Sequence, residues 1–301
     1  MYHEFYNMAL LPFENTPDPR FFFASEQHRE ALAAIEYTIR MRKGFVLITG
    51  SIGAGKTTVG RTMCRNCGDR AAIVHVSWGH QEREGLLRQI LRSLHVPSHR
   101  GEDHARMLDR LHEHLQQQMR ANRPVVLLVD EAQTLSDEAL DELRLLSNFD
   151  STTDKMIQIV LVGQPELRQR LRGERHAALR QRIVMAKQLQ PLGLADTHAY
   201  IDHRLRAASN DPQNVGVVFD SDAIHEIYGV TGGIPRLINV ACDNCLLLGY
   251  VRESYMIGPG IVQRVLEDMV PNLEQQESLA FKPEPQYDAE PERPMRLAGN
   301  F

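Results

Sequence analysis

The residues best suited to chemistry form one glycine-rich run, Gly50-Ser51-Ile52-Gly53-Ala54-Gly55-Lys56-Thr57, followed by Thr58. It fits the pattern G-x-x-x-x-G-K-[ST] in full. Glycines at those places let the backbone curl until successive N–H groups point inward at phosphate oxygens. A helix starting near Lys56 adds its positive dipole end. Lys56 offers a point charge to the β- and γ-phosphates of ATP, and the Thr57 hydroxyl is a ligand for Mg²⁺. A second run, Val125-Val126-Leu127-Leu128-Val129-Asp130-Glu131, ends an apolar stretch in two carboxylates. Asp130 is suited to hold Mg²⁺ through water, and Glu131 to orient and deprotonate an attacking water. The chemistry expected is therefore ATP hydrolysis.

Two further residues extend this set. The apolar run Ile157–Val162 leads into Gly163-Gln164-Pro165, so a polar side chain at Gln164 would stand between the catalytic strand ends and position the lytic water. Gly232-Gly233-Ile234-Pro235-Arg236 opens a helix, from which Arg236 can reach back to a γ-phosphate. Between them runs a basic stretch, Arg168, Arg170, Arg172, Arg175, Arg180, Arg182 and Lys187, opposed only by Glu174. Such a run has three readings: a DNA-facing patch, a solvated helix face, or an arginine that acts in trans on a neighbour's ATP.

The elements that must position these residues follow from periodicity. Phe45–Thr49, Ala71–Val76, Val125–Val129 and Ile157–Val162 are short apolar runs, as strands covered on both faces require. Helical stripes alternate with them: Ala31, Leu32, Ile35 and Ile39 after a Ser25 cap; a run over 86–94; and Met107, Leu108, Leu111, Leu115 and Met119. Alternating strands and helices predict an α/β fold, a three-layer αβα core around a parallel sheet spanning residues 25–190. Beyond Pro191 only helical spacing remains, at 196–208, 220–229, 235–250 and 258–270, which predicts a small all-helical lid over 191–270. The aromatic and proline-rich residues 1–24 read as an extended segment packed on the core. The acidic, proline-rich residues 271–301 read as a disordered tail.

Other clusters carry less. Cys64 and Cys67 fall on the helix after the glycine loop, and Cys242 and Cys245 lie mid-helix far away, so both pairs read as core rather than zinc ligands. Among His95, His99, His104, His112 and His114, Pro97 interrupts the first pair, and His112 and His114, two apart, fall on different helix faces, so a solvated helix is the expectation. The net charge of −5 gives no global field toward nucleic acid or anionic lipid. No apolar run approaches the roughly 20 residues that cross a bilayer, and the first residues lack a signal-peptide pattern. The expectation is a cytoplasmic protein with no direct membrane insertion.

At this point the residues resemble a known family. The opening Met1-Tyr2, Phe5-Tyr6, Pro12-Phe13 and Pro17-Asp18-Pro19-Arg20-Phe21-Phe22, with Ser25 and His28, is similar to general secretion pathway protein A-like AAA+ ATPases. So are Val160–Leu167, Gln181-Arg182-Ile183, Pro191-Leu192, Tyr200-Ile201, His203-Arg204-Leu205 and the Gly232–Asn239 turn. The resemblance implies phosphate binding by Gly50–Thr58, metal and water handling by Asp130 and Glu131, and sensor roles for Gln164 and Arg236. It also makes Arg182 the candidate arginine finger, with Arg180 in reserve. It further implies a homo-oligomer or ring coupled to an inner-membrane or envelope-assembly partner, with the protein peripheral to that membrane. Long members of the family continue into a transmembrane helix and a peptidoglycan-binding domain. The short form, as in mannose-sensitive pilus or exosortase-associated ATPases, fits this sequence better. A DNA-dependent ATPase of the transposition-helper type is the alternative, since related proteins share the core.

Overall fold

The computed structural model describes residues 1–16, 18–76, 83–99, 101–151 and 154–280. The chain begins with α1 (Tyr2–Phe5) and α2 (Glu26–Arg40), then β1 (Phe45–Gly50), α3 (Lys56–Cys67), β2 (Ala72–Val76), α4 (Arg83–Ser93) and α5 (His104–Arg120). β3 (Val125–Val129), α6 (Asp137–Leu146), β4 (Ile157–Gly163), α7 (Pro165–Leu171), α8 (Ala177–Arg180) and β5 (Ile183–Leu189) complete the sheet and its flanks. The remainder is α9 (Leu194–Ala208), β6 (Val218–Phe219), α10 (Ser221–Thr231), α11 (Pro235–Val251), β7 (Met256–Ile257) and α12 (Pro259–Ala280).

The strands pair in parallel in the order β2-β3-β4-β1-β5. Side chains alternate between two buried faces. Phe45, Leu47, Leu127, Val129, Ile159 and Leu161 face the helices that carry Leu87, Leu111 and Leu143. Val46, Ile48, Val126, Leu128, Val160 and Val162 face Ile35, Val59 and Met63. Covering on both sides is why these strands read as nearly continuous apolar runs, and every residue of β1, β3 and β4 is buried, Thr49 and Gln158 included.

β5 is a correction. One sequence reading of the basic run Arg168 to Lys187 is a solvated helix face, whereas Ile183–Leu189 forms the edge strand beside β1. As an edge strand it is half covered, with Val184 51% exposed. A register shift opposite Phe45 and Val46 also turns Ile183 toward one core and Met185 toward the other. That bulge breaks the two-residue alternation that would have revealed a strand.

The helical part has its own core, built from α9 to α12. β6 and β7 add a two-stranded parallel pair that is too short to leave a periodic signature, so this part is not purely helical. The first residues are not extended throughout, because α1 forms one helical turn. Tyr2, Tyr6, Phe13 and Phe21 bury their rings in the core of the helical part, not that of the sheet. α12 continues to Ala280, so the first residues of the expected tail have helical backbone. Residues 281–301 lie outside the described ones.

Candidate nucleotide site

The site lies at the carboxyl edge of the sheet, where strand order decides which loops meet. β4 separates β1 from β3, with Thr49 paired to Gly163 and Val129 to Leu161. The loop after β1, the acidic pair after β3 and Gln164 after β4 therefore emerge side by side.

The glycine loop turns through left-handed backbone at Gly53 (φ +80) and Gly55 (φ +88). Side chains would collide there: a Cβ on Gly53 would sit 2.7 Å from Arg236 Cβ, and one on Gly55 would sit 2.8 Å from His28 Nε2. The first turn of α3 has no side-chain cap, which leaves its N–H groups free for an anion. Ser51 Oγ is buried without a hydrogen-bond partner among the described residues. Lys56 is buried, and its ammonium donates to the Ser51 carbonyl at 2.9 Å. Burial pushes the Lys56 pKa down, while Glu131, Asp130 and Glu166 oppose that by favouring the cation.

The acidic pair is fixed by its neighbours. The Thr57 hydroxyl donates to Asp130 Oδ2 at 2.9 Å, and the Glu131 N–H donates to Asp130 Oδ1 at 2.9 Å. Thr57 and Asp130 thus bring two hard oxygen donors together, the donor chemistry that suits Mg²⁺. Glu131 takes a left-handed backbone conformation (φ 51), uncommon for a residue with a side chain. Gln164 Nε2 lies 3.4 Å from Glu131 Oε2.

A cavity of about 430 Å³ opens over this edge. Gly53, Lys56, Thr57, Glu131, Gln164 and Arg236 line it, which brings together the glycine loop, Glu131 of the acidic pair and both sensor candidates and leaves out Arg182. Arg236, in the first turn of α11, is exposed on that wall. The lining also carries an apolar and aromatic set, Phe22, Phe23, Leu192, Tyr200 and Pro235. Motif reading missed this set, because its members are scattered over the opening segment and the helical part. Asn239 ties them, accepting from the Tyr200 hydroxyl at 2.7 Å and donating to Asn15 Oδ1 at 3.1 Å.

Arg182 is elsewhere. It stands in the turn between α8 and β5, not on a helix, and donates to Ser147 Oγ at 2.7 Å. Arg180 donates to the carbonyls of Leu171 and Arg172 at 3.0 and 2.7 Å. The basic run also has acidic partners that its own sequence hides. Arg170 and Arg175 pair with Asp137, and Lys187 pairs with Glu30 at 2.6 Å.

A glycine loop and an acidic pair sharing one sheet edge beneath a helical cover make this an AAA-type P-loop protein. Residues 39–171 match the AAA domain family. More particularly, the chain is a relative of general secretion pathway protein A. It is 36% identical over 260 residues to that protein from Aeromonas hydrophila, an alignment covering 86% of this chain and 47% of the relative. The chain thus spans about half the length of that curated relative. Among solved structures, Aeropyrum pernix ORC2 matches with a TM-score of 0.68 at 16% identity, over 90% of this chain and 74% of that one. Cdc6p from Pyrobaculum aerophilum matches with a TM-score of 0.63 at 17% identity, over 85% and 70%. At such identities the likeness shows the fold. Among the described residues, no helix is long and apolar enough to cross a membrane.

Proposed function

We propose that this chain binds and hydrolyses ATP with Mg²⁺, and couples turnover to assembly or operation of a cell-envelope export machine. The observation that carries the chemistry is the contact of Thr57 with Asp130 at 2.9 Å, beside Glu131 and Gln164 on one cavity wall. In this reading the loop N–H groups from Gly50 to Thr58 and the Lys56 ammonium hold the phosphates. Thr57 and Asp130 hold the metal, which when bound supplies positive charge to the phosphate oxygens. Gln164 orients a water whose proton passes to the Glu131 carboxylate as its oxygen bonds to the γ-phosphorus. The bond from that phosphorus to the β–γ bridging oxygen breaks, and ADP leaves. Arg236 contacts the γ-phosphate from the helical part, and the aromatic side chains of the lining take the base. Arg182 acts on the ATP of a neighbouring subunit in an oligomer or ring.

The likeness to general secretion pathway protein A supports the export reading. The working place is then the cytoplasmic face of the inner membrane, reached through a protein partner. Two variants test the chemistry. Lys56→Ala is expected to lose nucleotide binding, because the loop loses its fixed cation. Glu131→Gln is expected to keep binding and lose turnover by a factor on the order of 10² or more. Wild-type hydrolysis by Glu131→Gln would remove Glu131 from the role of base. Turnover strongly stimulated by DNA, with a steep salt dependence, would replace the export reading.

A further inference from the structure

Gln133 follows the acidic pair by two residues, in the helical turn Ala132–Thr134. Its amide is used at both ends. Nε2 donates to Glu131 Oε2 at 2.6 Å, and Oε1 accepts from the Gln164 N–H at 3.0 Å. The same Glu131 oxygen is the one approached by Gln164 Nε2. Gln133 does not line the cavity, whereas Glu131 and Gln164 do.

The surroundings are shaped for this amide. A Cβ on Gly163 would lie 2.9 Å from Gln133 Oε1, so a side chain there would displace the bridge. Arg170 Nη1 donates to the carbonyls of Gln133 and Leu135, at 3.3 and 2.6 Å, and its guanidinium is anchored by Asp137. Thr134 donates to the Glu131 carbonyl from its hydroxyl at 2.8 Å and its N–H at 2.9 Å. The backbone around Glu131 is thereby held in its left-handed turn, and the Gln133 side chain fixes the carboxylate itself.

We infer that Gln133 is the positioning residue for Glu131, joining the proposed base to the turn between β4 and α7 that carries Gln164. This rests on the reading of Glu131 as the base. One carboxylate oxygen is occupied by the Gln133 amide, which restricts the carboxylate to orientations that leave the other for water. The grip on the Gln164 N–H keeps the base and the water-orienting side chain in register. Displacement of a catalytic group by about 1 Å costs on the order of 10²-fold in rate, so a second-layer amide of this kind acts on kcat rather than on binding.

The test uses the full chain and four variants: Gln133→Met, Gln164→Ala, their double, and Gln133→Met combined with Glu131→Gln. Gln133→Met keeps the length of the side chain and removes both hydrogen bonds. Its expected signature is a kcat lower by about 10- to 100-fold, with Kd for a fluorescent ATP analogue and the thermal midpoint close to wild type. The double variant with Gln164→Ala should be far less than multiplicatively slower, since both act through one carboxylate. In the Glu131→Gln background, Gln133→Met should cost nothing more. If Gln133→Met fails to fold, Gln133→Asn, whose amide is drawn back by one methylene, replaces it with the same expected split. A wild-type kcat for the folded variant, or equal losses in kcat and affinity, would overturn the positioning role while leaving Glu131 as base. Wild-type turnover by Glu131→Gln would instead overturn both.

Discussion

His28 occupies a place where a change of charge reaches the phosphate loop directly. Its ring is buried, with Nδ1 2.6 Å from Ser25 Oγ and Nε2 against Gly55. Burial pushes its pKa below the ordinary 6.5, opposed by a backbone hydrogen bond to Ala54 and the charge of Asp196. The folded chain therefore prefers neutral His28, and below pH 6.5 the unfolded chain binds the extra proton. Its contribution to stability is present above 6.5 and is lost as pH falls through the lowered folded value. His114 and His203 are displaced the same way by burial, so the wild-type thermal midpoint should fall as the solution is acidified. In His28→Gln that fall should be smaller between about pH 7.5 and about pH 5.5, as scanning calorimetry would show. An unchanged slope would mean that His28 does not contribute to the acid sensitivity. The glycine loop and acidic pair were legible in sequence because their spacing along the chain is itself the chemistry. Gln133 sits two residues past the acidic pair, yet its use depends on the Gln164 backbone, which only the β3–β4 register brings near.

Among elements, the opening segment gains most from long-range contacts. Arg204 on α9 is only 5% exposed and binds it through the carbonyls of Pro12 at 2.6 Å and Glu14 at 2.9 Å. The same guanidinium reaches the Tyr200 hydroxyl at 2.7 Å and Asn239 Oδ1 at 3.1 Å, and lies 4.9 Å from the centre of the Phe21 ring. Arg204→Met would strand those acceptors in a buried place, with an expected loss of roughly 2–4 kcal/mol. Urea unfolding should show it as a lower midpoint. Arg204→Lys should recover only part, since an ammonium cannot span acceptors spread around a planar fork. A wild-type midpoint in Arg204→Met would mean that the aromatics alone hold the segment. Apart from Tyr200, one helical turn back, these partners lie far from Arg204 in sequence, which is why periodicity recovered α9 and not its use. Periodicity recovered β1, β3 and β4 because the parallel interior makes them apolar throughout except at Thr49 and Gln158. It lost β5, where an exposed flank and a bulge remove both the run and the alternation.

At the scale of the whole molecule, the proposed catalytic set on one chain lacks the arginine finger that the family resemblance implies. Arg182 lies in the turn before β5 and is held by Ser147 at the end of α6, away from the lining of its own cavity. A cation so placed contributes to hydrolysis only if a second subunit presents its phosphates to it. An arginine supplied in trans is worth on the order of 10³–10⁵ in rate where one operates on a phosphoryl group. Arg182→Ala is therefore expected to bind ATP nearly as wild type does and to hydrolyse it poorly. Lys56→Ala fails for the opposite reason, having its arginine but no grip on the nucleotide. Mixing the two variants creates interfaces where an intact phosphate loop faces an intact Arg182, so activity should return in proportion to such mixed contacts. Co-assembly is checked by light scattering on the mixture before rates are compared. Recovery above the sum of the separate variants places Arg182 at a neighbour's ATP. Confirmed co-assembly without recovery makes Arg182 a structural partner of Ser147, and the same mixing would then be carried out with Arg180→Ala.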